Sequence, residues 1–357
     1  MSSFAVTAER LTVHPHPNAD ALELAQVGEY RAVVVKGRFA TGDYALYIPE
    51  QALLPDELVE EFGLAGRLAG KAGNRVKAIR LRGELSQGLV VLARALDGED
   101  LEVASEARTD FAERLGITKW VPEVPTHFGG AVSGEPELLD WIDIENLQRY
   151  PNVFTDGEEV EATEKIHGTS YTACWIDDEE GGHLVVTSKG LGAQGLVLNE
   201  SEENVYWRIT RALGIGETLR SLAEALVARR VALYGELYGR GIQDLHYASA
   251  GIALRAFDVR VDMMGRVRWL ERDELTAALA GTGIETAPVL YRGPFGLERL
   301  REISQGHETV SGTQSHLREG IVLRAVPERR SDAVGGRAIA KLVSGDYLVR
   351  KGGTEYE

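Results

Sequence analysis

The sequence predicts an α+β protein: a small β-rich domain at the N-terminal side, then a larger domain that mixes strands and helices. Three observations carry that expectation. The chain has 357 residues, and domains commonly run to roughly 100–200 residues, so two cores are expected. Short segments rich in β-branched and aromatic residues crowd the first hundred positions, separated by Gly and Asp turns. Past about residue 145, strand-like segments alternate with stretches of helical periodicity.

In the first domain YRAVVVKG (30–37), DYALYIP (43–49), RVKAIRL (75–81) and GLVVLA (88–93) read as strands. PDELVEEFGLAGRLAG (55–70) reads as a helical interruption between the second and third. Several short strands in so short a stretch suggest a small barrel or sandwich. VPEVPTHFGGAVSGEPE (121–137) concentrates Pro, Gly and Ser and reads as a linker or exposed loop. The expected organisation is therefore a domain at 1–120, a linker at 121–145 and a second domain at 146–357. In the latter, VEATEK (160–165) and SYTACWI (170–176) read as strands joined by a short turn. Positions 217–230 place Leu219, Leu222, Ala223, Leu226 and Val227 on one helical face. VALYGELYG (231–239) and ALRAFDVRV (253–261) follow as strands, Leu275 and Leu279 mark a short helix, and EGIVLRA (319–325) and AIAKLVS (338–344) are strands.

Composition narrows the function. Hydrophobic residues at 44% and charged residues at 26% are ordinary for a globular chain, which excludes wholesale disorder. A net charge of −16 argues against a protein coated in positive charge, while leaving room for a local basic groove. A single cysteine, Cys174, excludes an internal disulfide framework and fits a reducing cytoplasm. The first residues lack a basic start followed by an apolar run, and no apolar stretch approaches a membrane span. A cytoplasmic protein with no membrane partner is expected.

Chemistry-bearing residues recur in strand-like contexts. Lys165 ends a strand in TEKIHGTS (163–170), three residues before Gly168. Desolvation or neighbouring cations depress a lysine pKa and free the amine as a nucleophile. Glu236 lies in LYGELYG (233–239), Phe257 in RAFDVR (255–260), Glu319 opens EGIVLR, and Lys341 lies in AIAKLVSGDY (338–347). Charges in apolar strands are costly unless each meets a partner or a ligand. For each residue the competing expectation is structural: an Arg partner for the glutamates, a core position for Phe257, a solvated strand for Lys341, a plain turn for His167.

These five segments, in this order, resemble motifs I, III, IIIa, IV and V of the covalent nucleotidyltransferases, the superfamily of ligases and capping enzymes. KIHG with EGIVLR and KLVSGDY, behind a β-rich domain, is similar to the ATP-dependent RNA ligases of the fifth RNA ligase family. The resemblance implies an N-terminal OB-like β-barrel followed by an ATP-grasp-like nucleotidyltransferase domain of antiparallel sheets with flanking helices. It implies an enzyme that joins RNA 3′-OH and 5′-phosphate ends, sealing nicks in duplexes, through lysyl–AMP and RNA-adenylate intermediates. ATP and Mg2+ or Mn2+ are the implied cofactors, and a monomer is expected. By the same resemblance Lys165 is the nucleophile, main-chain groups of Glu164 and Ile166 meet the adenine edge, and Phe257 is the purine floor. Glu236 and Glu319 are the acidic positions for ribose and metal, and Lys341 contacts the α-phosphate. Lys189, in TSKG (187–190), matches motif Ia, where many relatives have Arg. Two positions depart from the pattern. The usual Asp two residues after the nucleophile is His167, a form that occurs in the RNA ligase family named above. The second motif V lysine is Val343, so charge neutralisation falls to Lys341 alone or to Arg337 or Arg350.

HPNADALELAQVG (16–28), VKGRFATGDYALYIPE (35–50) and LRGELSQGLVV (81–91) are similar to OB modules of the tRNA-binding kind. An OB barrel offers a sheet face and loops to oligonucleotides. Arg80 and Arg82, two apart on one strand face, with Arg75 and Lys77, form a candidate phosphate stripe. His14 and His16 are expected to be loop residues rather than metal ligands. Arg329, Arg330, Arg337, Arg350 and Lys351 are further candidates for gripping RNA, with binding that weakens steeply with salt. The alternatives are an ATP-dependent DNA ligase, a capping guanylyltransferase, and a non-catalytic RNA- or tRNA-binding protein.

Overall fold

The computed structural model describes residues 4–120, 130–139, 141, 143–179 and 181–350. Most of the first half of the expected linker, 121–129, and Lys351 lie outside the described residues. The chain divides into two compact units, and the division is not a single cut. The first unit joins the residues up to 120 with Glu145–Asn152; the second joins the described residues of 130–144 with those from Val153 onward.

The first unit is built on two antiparallel three-stranded sheets. One holds Thr12–Pro15, Leu22–Val27 and Tyr30–Val35; the other holds Thr7–Arg10, Tyr44–Ile48 and Leu89–Val91. Period-two burial makes Tyr30, Ala32 and Val34 core residues and leaves Arg31 and Val35 outside. The expected helix at 55–70 is confined to Asp56–Glu61, because Gly63 turns the chain at φ 65°. Of the expected strand at 75–81 only Ile79–Leu81 forms, pairing with Glu84–Ser86. The turn between them places both Arg82 and Gly83 at positive φ (49° and 94°), the geometry of a tight hairpin. Arg82 therefore sits in the turn, and the shared strand face expected for Arg80 and Arg82 does not exist. Arg75 lies over the Trp120 ring at 3.9 Å. His14, expected in a loop, lies in the strand Thr12–Pro15 and bonds Gln26, whereas His16 is the expected loop residue and bonds the Leu81 carbonyl.

The second unit contains two antiparallel sheets. Its principal strands, numbered from Glu159, are β1 (Glu159–Lys165), β2 (Thr169–Ile176), β3 (His183–Thr187), β4 (Arg230–Gly239), β5 (Ile252–Met263), β6 (Arg266–Trp269), β7 (Val289–Pro294), β8 (Gly320–Ala325) and β9 (Ile339–Val343). One sheet runs β3-β2-β4-β5-β6 and the other β9-β8-β1-β7. Helices α1 (Val205–Ala212) and α2 (Ile215–Leu226) cover the outer face of the first sheet. There Leu233 and Leu237 of β4 pack with Ile215, Leu219 and Ala223 of α2. Helix α2 stops four residues short of the expected Arg230: Val227 adopts φ 50° at its C-cap, and Arg230 opens β4.

Because alternate residues of a strand share a face, Tyr234, Glu236 and Tyr238 of β4 point away from that helical layer. The two sheets meet there through charge. Asp258 of β5, fully buried, pairs with Arg324 of β8 (3.1 Å) and with Arg337 (2.7 Å). Arg337 also bonds Glu328. Glu161 of β1 pairs with Arg272 (2.7 Å), the first residue of a short helix, Arg272–Leu279. Burial alone would raise the Asp258 carboxyl, and the guanidinium groups of Arg324 and Arg337 outweigh it, holding the group below the usual carboxylate range.

Candidate active site

The register of the β9-β8-β1 sheet sets the lysines. Lys165 pairs with Gly320, which pairs with Val343; Thr163 pairs with Val322, which pairs with Lys341. Paired residues of an antiparallel ladder share a face, so Lys165 and Lys341 project from the same side of one sheet. Glu319 immediately precedes β8, and its Oε1 lies 2.6 Å from Lys165 Nζ. Its Oε2 is buried without a hydrogen-bond partner.

Glu236 approaches from the other sheet. Gly168 explains how: a Cβ there would strike the Leu237 carbonyl oxygen and lie 2.9 Å from Glu236 Cγ. The turn after β1 must therefore be bare for β4 to reach it. The Glu236 carboxyl is pushed up to about 8, first by burial and then by the Glu319 charge, against the pull of Lys165 and Lys189. Lys189 opens the short turn of helix Lys189–Gly192, and its main-chain N–H donates to Ser170 Oγ (2.8 Å). Ser170 stands opposite Glu236 in the β2–β4 ladder. The Lys189 ammonium pairs with Asp143 at 2.5 Å.

His167 is held by both ring nitrogens and by its main-chain N–H. Nε2 lies 2.9 Å from Asp244 Oδ1 and Nδ1 lies 2.7 Å from the Tyr347 hydroxyl. Its main-chain N–H donates to the Tyr247 hydroxyl (2.6 Å). With both ring nitrogens engaged, the imidazole is a clasp between the turn after Lys165 and the helix Gly345–Leu348 rather than a metal ligand. Arg350 closes the same cluster, lying over the Tyr347 ring at 3.8 Å and pairing with Asp244 at 3.3 Å.

Phe257 is the extra residue of a β-bulge: Tyr234 pairs with Asp258 and Gly235 with Ala256, leaving Phe257 without a partner opposite. Its half-buried ring belongs with Ile166, Tyr238 and Tyr247 on one side. On the other side it meets Trp141 edge-on, ring centroids 5.1 Å apart. The Glu164 main-chain N–H donates to the Pro288 carbonyl (2.9 Å), so that group is already committed within the fold. Its carboxylate, pushed up by burial, accepts from the Thr309 N–H (2.9 Å) and hydroxyl (2.6 Å).

Several expected phosphate partners are engaged elsewhere. Arg337 is buried on Asp258 and Glu328, which excludes it from the motif V role. Arg329 is bidentate on Glu158, and Arg350 belongs to the His167 clasp. Of the sequence-derived set, Glu319, Glu236, Gly168 and Lys189 gather near Lys165, with Lys341 on the same sheet face. Trp141, Asp143, Asp244 and Tyr347 were not among the expected residues. Tyr347 ends a segment read as a motif, and the other three lie in stretches with no strand or helix signal. Among the described residues no group of three or more His, Cys, Asp or Glu is arranged to hold a metal ion. No helix among them is long and apolar enough to cross a membrane.

Comparisons with known proteins agree with this geometry. Residues 158–343 match a family model described as RNA ligase, and residues 5–93 match one described as an OB-fold domain. A search of curated proteins returns no match. Among solved structures, Naegleria gruberi RNA ligase with pyrophosphate is similar at 26% identity and a TM-score of 0.79, over 97% of this chain and 98% of that one. A lysine-to-alanine mutant of that ligase with ATP and Mn is similar at 25% identity and a TM-score of 0.79, over 96% and 98%. A lysine-to-methionine mutant with AMP and Mn gives 25% and 0.78 over the same shares. The fold is thus an N-terminal OB-fold domain followed by a sheet-rich nucleotidyltransferase-like domain.

Proposed function

Because the chain belongs to the RNA ligase family, we propose that it seals RNA 3′-OH and 5′-phosphate ends with ATP, by way of an AMP adduct on Lys165. The family favours this reading over a DNA ligase, a capping enzyme or a non-catalytic binder. The observation that carries it is the Lys165 ammonium 2.6 Å from a Glu319 oxygen, with Glu236 brought against the same turn.

Lys165 gives its proton to Glu319, the acceptor already at hydrogen-bond distance, and the freed amine attacks the α-phosphorus of ATP. The new N–P bond forms as the bond to pyrophosphate breaks. The AMP then passes to a 5′-phosphate of RNA, and a 3′-hydroxyl attacks that phosphorus, releasing AMP. These are in-line displacements, in which positioning and charge neutralisation do most of the work. Lys341, on the Lys165 face of the sheet, neutralises charge growing on the α-phosphate. Phe257 and Ile166 give the purine an apolar wall. The adenine edge is left to main-chain groups of Ile166 and to the Glu164 carbonyl. The substrate proposed is a nick in a duplex.

The acidic residues fit a divalent cation. Glu319 Oε2 is buried without a hydrogen bond, and the Glu319 charge raises the Glu236 carboxyl, which places the two acidic groups within electrostatic range of each other. Glu236 and Glu319 would hold Mg2+ or Mn2+, which neutralises the negative charge of the departing pyrophosphate. The ATP- and Mn-bound N. gruberi ligase structures support that pairing of nucleotide and metal.

The test is incubation with α-labelled ATP and Mn2+ or Mg2+, followed by denaturing electrophoresis. Label is expected on the wild type, absent from Lys165→Ala, and undiminished by excess GTP. A wild type that never acquires label refutes the reading.

A further inference from the structure

Residues 305–318, between the helix Leu297–Ser304 and β8, fold into a closed loop. His307 bridges Leu317, and the Glu308 N–H donates to the His316 carbonyl (3.1 Å). At the centre of the loop is one carboxylate. Glu308 is fully buried and accepts from the N–H groups of Ser311 and Ser315 (both 2.8 Å), from the Ser315 hydroxyl (2.9 Å) and from the Ser311 hydroxyl. Burial alone would raise this carboxyl; the four donors outweigh it and hold the group low, so the loop is drawn around a fixed negative charge.

The outside of the loop grips the residues on either side of Lys165. Thr309 donates its N–H (2.9 Å) and its hydroxyl (2.6 Å) to Glu164 Oε2, while Glu164 Oε1 is buried without a hydrogen bond. Among the described residues, Thr309 therefore supplies the hydrogen bonds of that carboxylate. Arg318, whose Nη1 donates to the carbonyls of Ile303 (2.6 Å) and Gln305 (3.0 Å), sets its Nε 3.6 Å from Glu164 Oε2. Val310 joins Ile166 and Tyr247 in one apolar cluster. His316 Nε2 accepts from the Tyr247 N–H (3.2 Å), and the Tyr247 hydroxyl accepts from the His167 N–H. The loop thus reaches Glu164 and Ile166 directly and His167 through Tyr247, and its end leads through Arg318 into Glu319, the partner of Lys165 Nζ. Neighbours on a strand point to opposite faces, so the loop stands behind β1 and leaves the Lys165 amine facing away from it. A displacement of about 1 Å at a reacting group costs about a hundredfold in rate. We propose that Thr309 is a positioning residue: by fixing the Glu164 carboxylate it holds the end of β1 against Glu319, so that the Lys165 amine keeps its place beside its proton acceptor. The inference rests on the function proposed above.

The experiment measures labelling of Lys165 against ATP concentration, in single turnovers with α-labelled ATP and Mn2+, for wild type, Thr309→Val, Thr309→Ala and Thr309→Ser. Thr309 is exposed, so these substitutions spare the core. In parallel, pre-adenylylated nicks are sealed without ATP, a step that does not use the free Lys165 amine. Thr309→Val and Thr309→Ala are expected to lower the maximal labelling rate about tenfold, the effect of one hydrogen bond to a charged acceptor. Half-saturating ATP should stay within about twofold of wild type. Thr309→Ser keeps the donor and should recover most of the rate, and sealing of pre-adenylylated nicks should fall far less than labelling. A merely structural role would lower both reactions together and would not separate Ser from Val. Equal falls in the two reactions overturn this inference alone. So do wild-type labelling rates in Thr309→Val and Thr309→Ala, a Thr309→Ser as slow as Thr309→Val, or a rise in half-saturating ATP at an unchanged maximal rate. Insoluble Thr309→Val and Thr309→Ala beside a soluble Thr309→Ser also overturn it. A wild type that never acquires label overturns it together with the proposed function.

Discussion

Replacing Glu236 with Gln is expected to stabilise the second unit at alkaline pH while removing adenylylation. The carboxyl is held at about 8, from 4.5 in an unstructured chain, chiefly by burial. A folded pKa above the unfolded one means that the folded state favours the protonated form. Stability is then fully present below about pH 4.5, declines as pH rises through the window to about 8, and stays low above it. At about 1.36 kcal/mol per unit, the upper bound on the loss is about 5 kcal/mol. The carboxylate is only partly covered, so solvent screening brings the expected gain from Glu236→Gln to about 1–2 kcal/mol near pH 9 and to about zero near pH 4. Urea unfolding followed by tryptophan fluorescence reports on this unit, which holds Trp141, Trp175, Trp207 and Trp269. Measurements are made without divalent ions, which would bind the native carboxylate and hide the effect. Equal gains at both pH values would assign the effect to packing, and no gain near pH 9 would refute the argument.

Three further substitutions test other parts of the site. Asp258→Asn leaves Arg324 and Arg337 buried without their counter-charge and is expected to cost about 3–5 kcal/mol by urea unfolding; a loss below about 1 kcal/mol would contradict the assigned pairing. Because the Asp258 carboxyl is held low, the stability it confers is present above the ordinary carboxylate range and lost as pH falls through its depressed value. Tyr347→Phe strips the hydroxyl from His167 Nδ1 and should cost about 1–3 kcal/mol, with slower labelling of Lys165; unchanged stability and labelling would show that the clasp does not matter. Gly168→Ala should abolish labelling, since its Cβ collides with β4; a soluble, fully active variant would disprove the close approach.

The site was legible where its chemistry sits in strands with local character. Lys165, Glu236, Glu319 and Lys341 each stand out as a charge in or beside an apolar run; ladder register sets Lys165 and Lys341 on one sheet face, and Glu236 comes from the other sheet. What stayed hidden depends on contacts between distant positions. Tyr347 and His167 are 180 residues apart in sequence, and no periodicity announces their bond. Asp143 and Trp141 lie inside the expected linker, just past its Pro-, Gly- and Ser-rich part at 121–137, although the backbone there is tied to β4 and the Trp141 ring to β5. Arg337 misled for the opposite reason: its charge is visible in sequence but its burial on Asp258 is not. Among secondary elements, the short helix Val205–Ala212 was missed even though Asn204 supplies its N-cap, with Oδ1 accepting from the Tyr206 and Trp207 N–H groups. The strand expected at 75–81 shrank because its hydrophobic residues do not alternate cleanly enough to define a buried face.

The segment that holds Leu139, Trp141 and Asp143, bonded to Tyr234, packed on Phe257 and paired with Lys189, also governs how the protein can be taken apart. A fragment begun at residue 146, where a boundary drawn from composition would place it, discards Leu139, Trp141 and Asp143. It would bare Cys174, Tyr234 and Phe257, an oily face beside the nucleotide wall, and invite clumping that could be mistaken for loss of chemistry. A fragment begun near residue 130 keeps its cover, so dissection should follow where the backbone lies and not where the sequence looks thin.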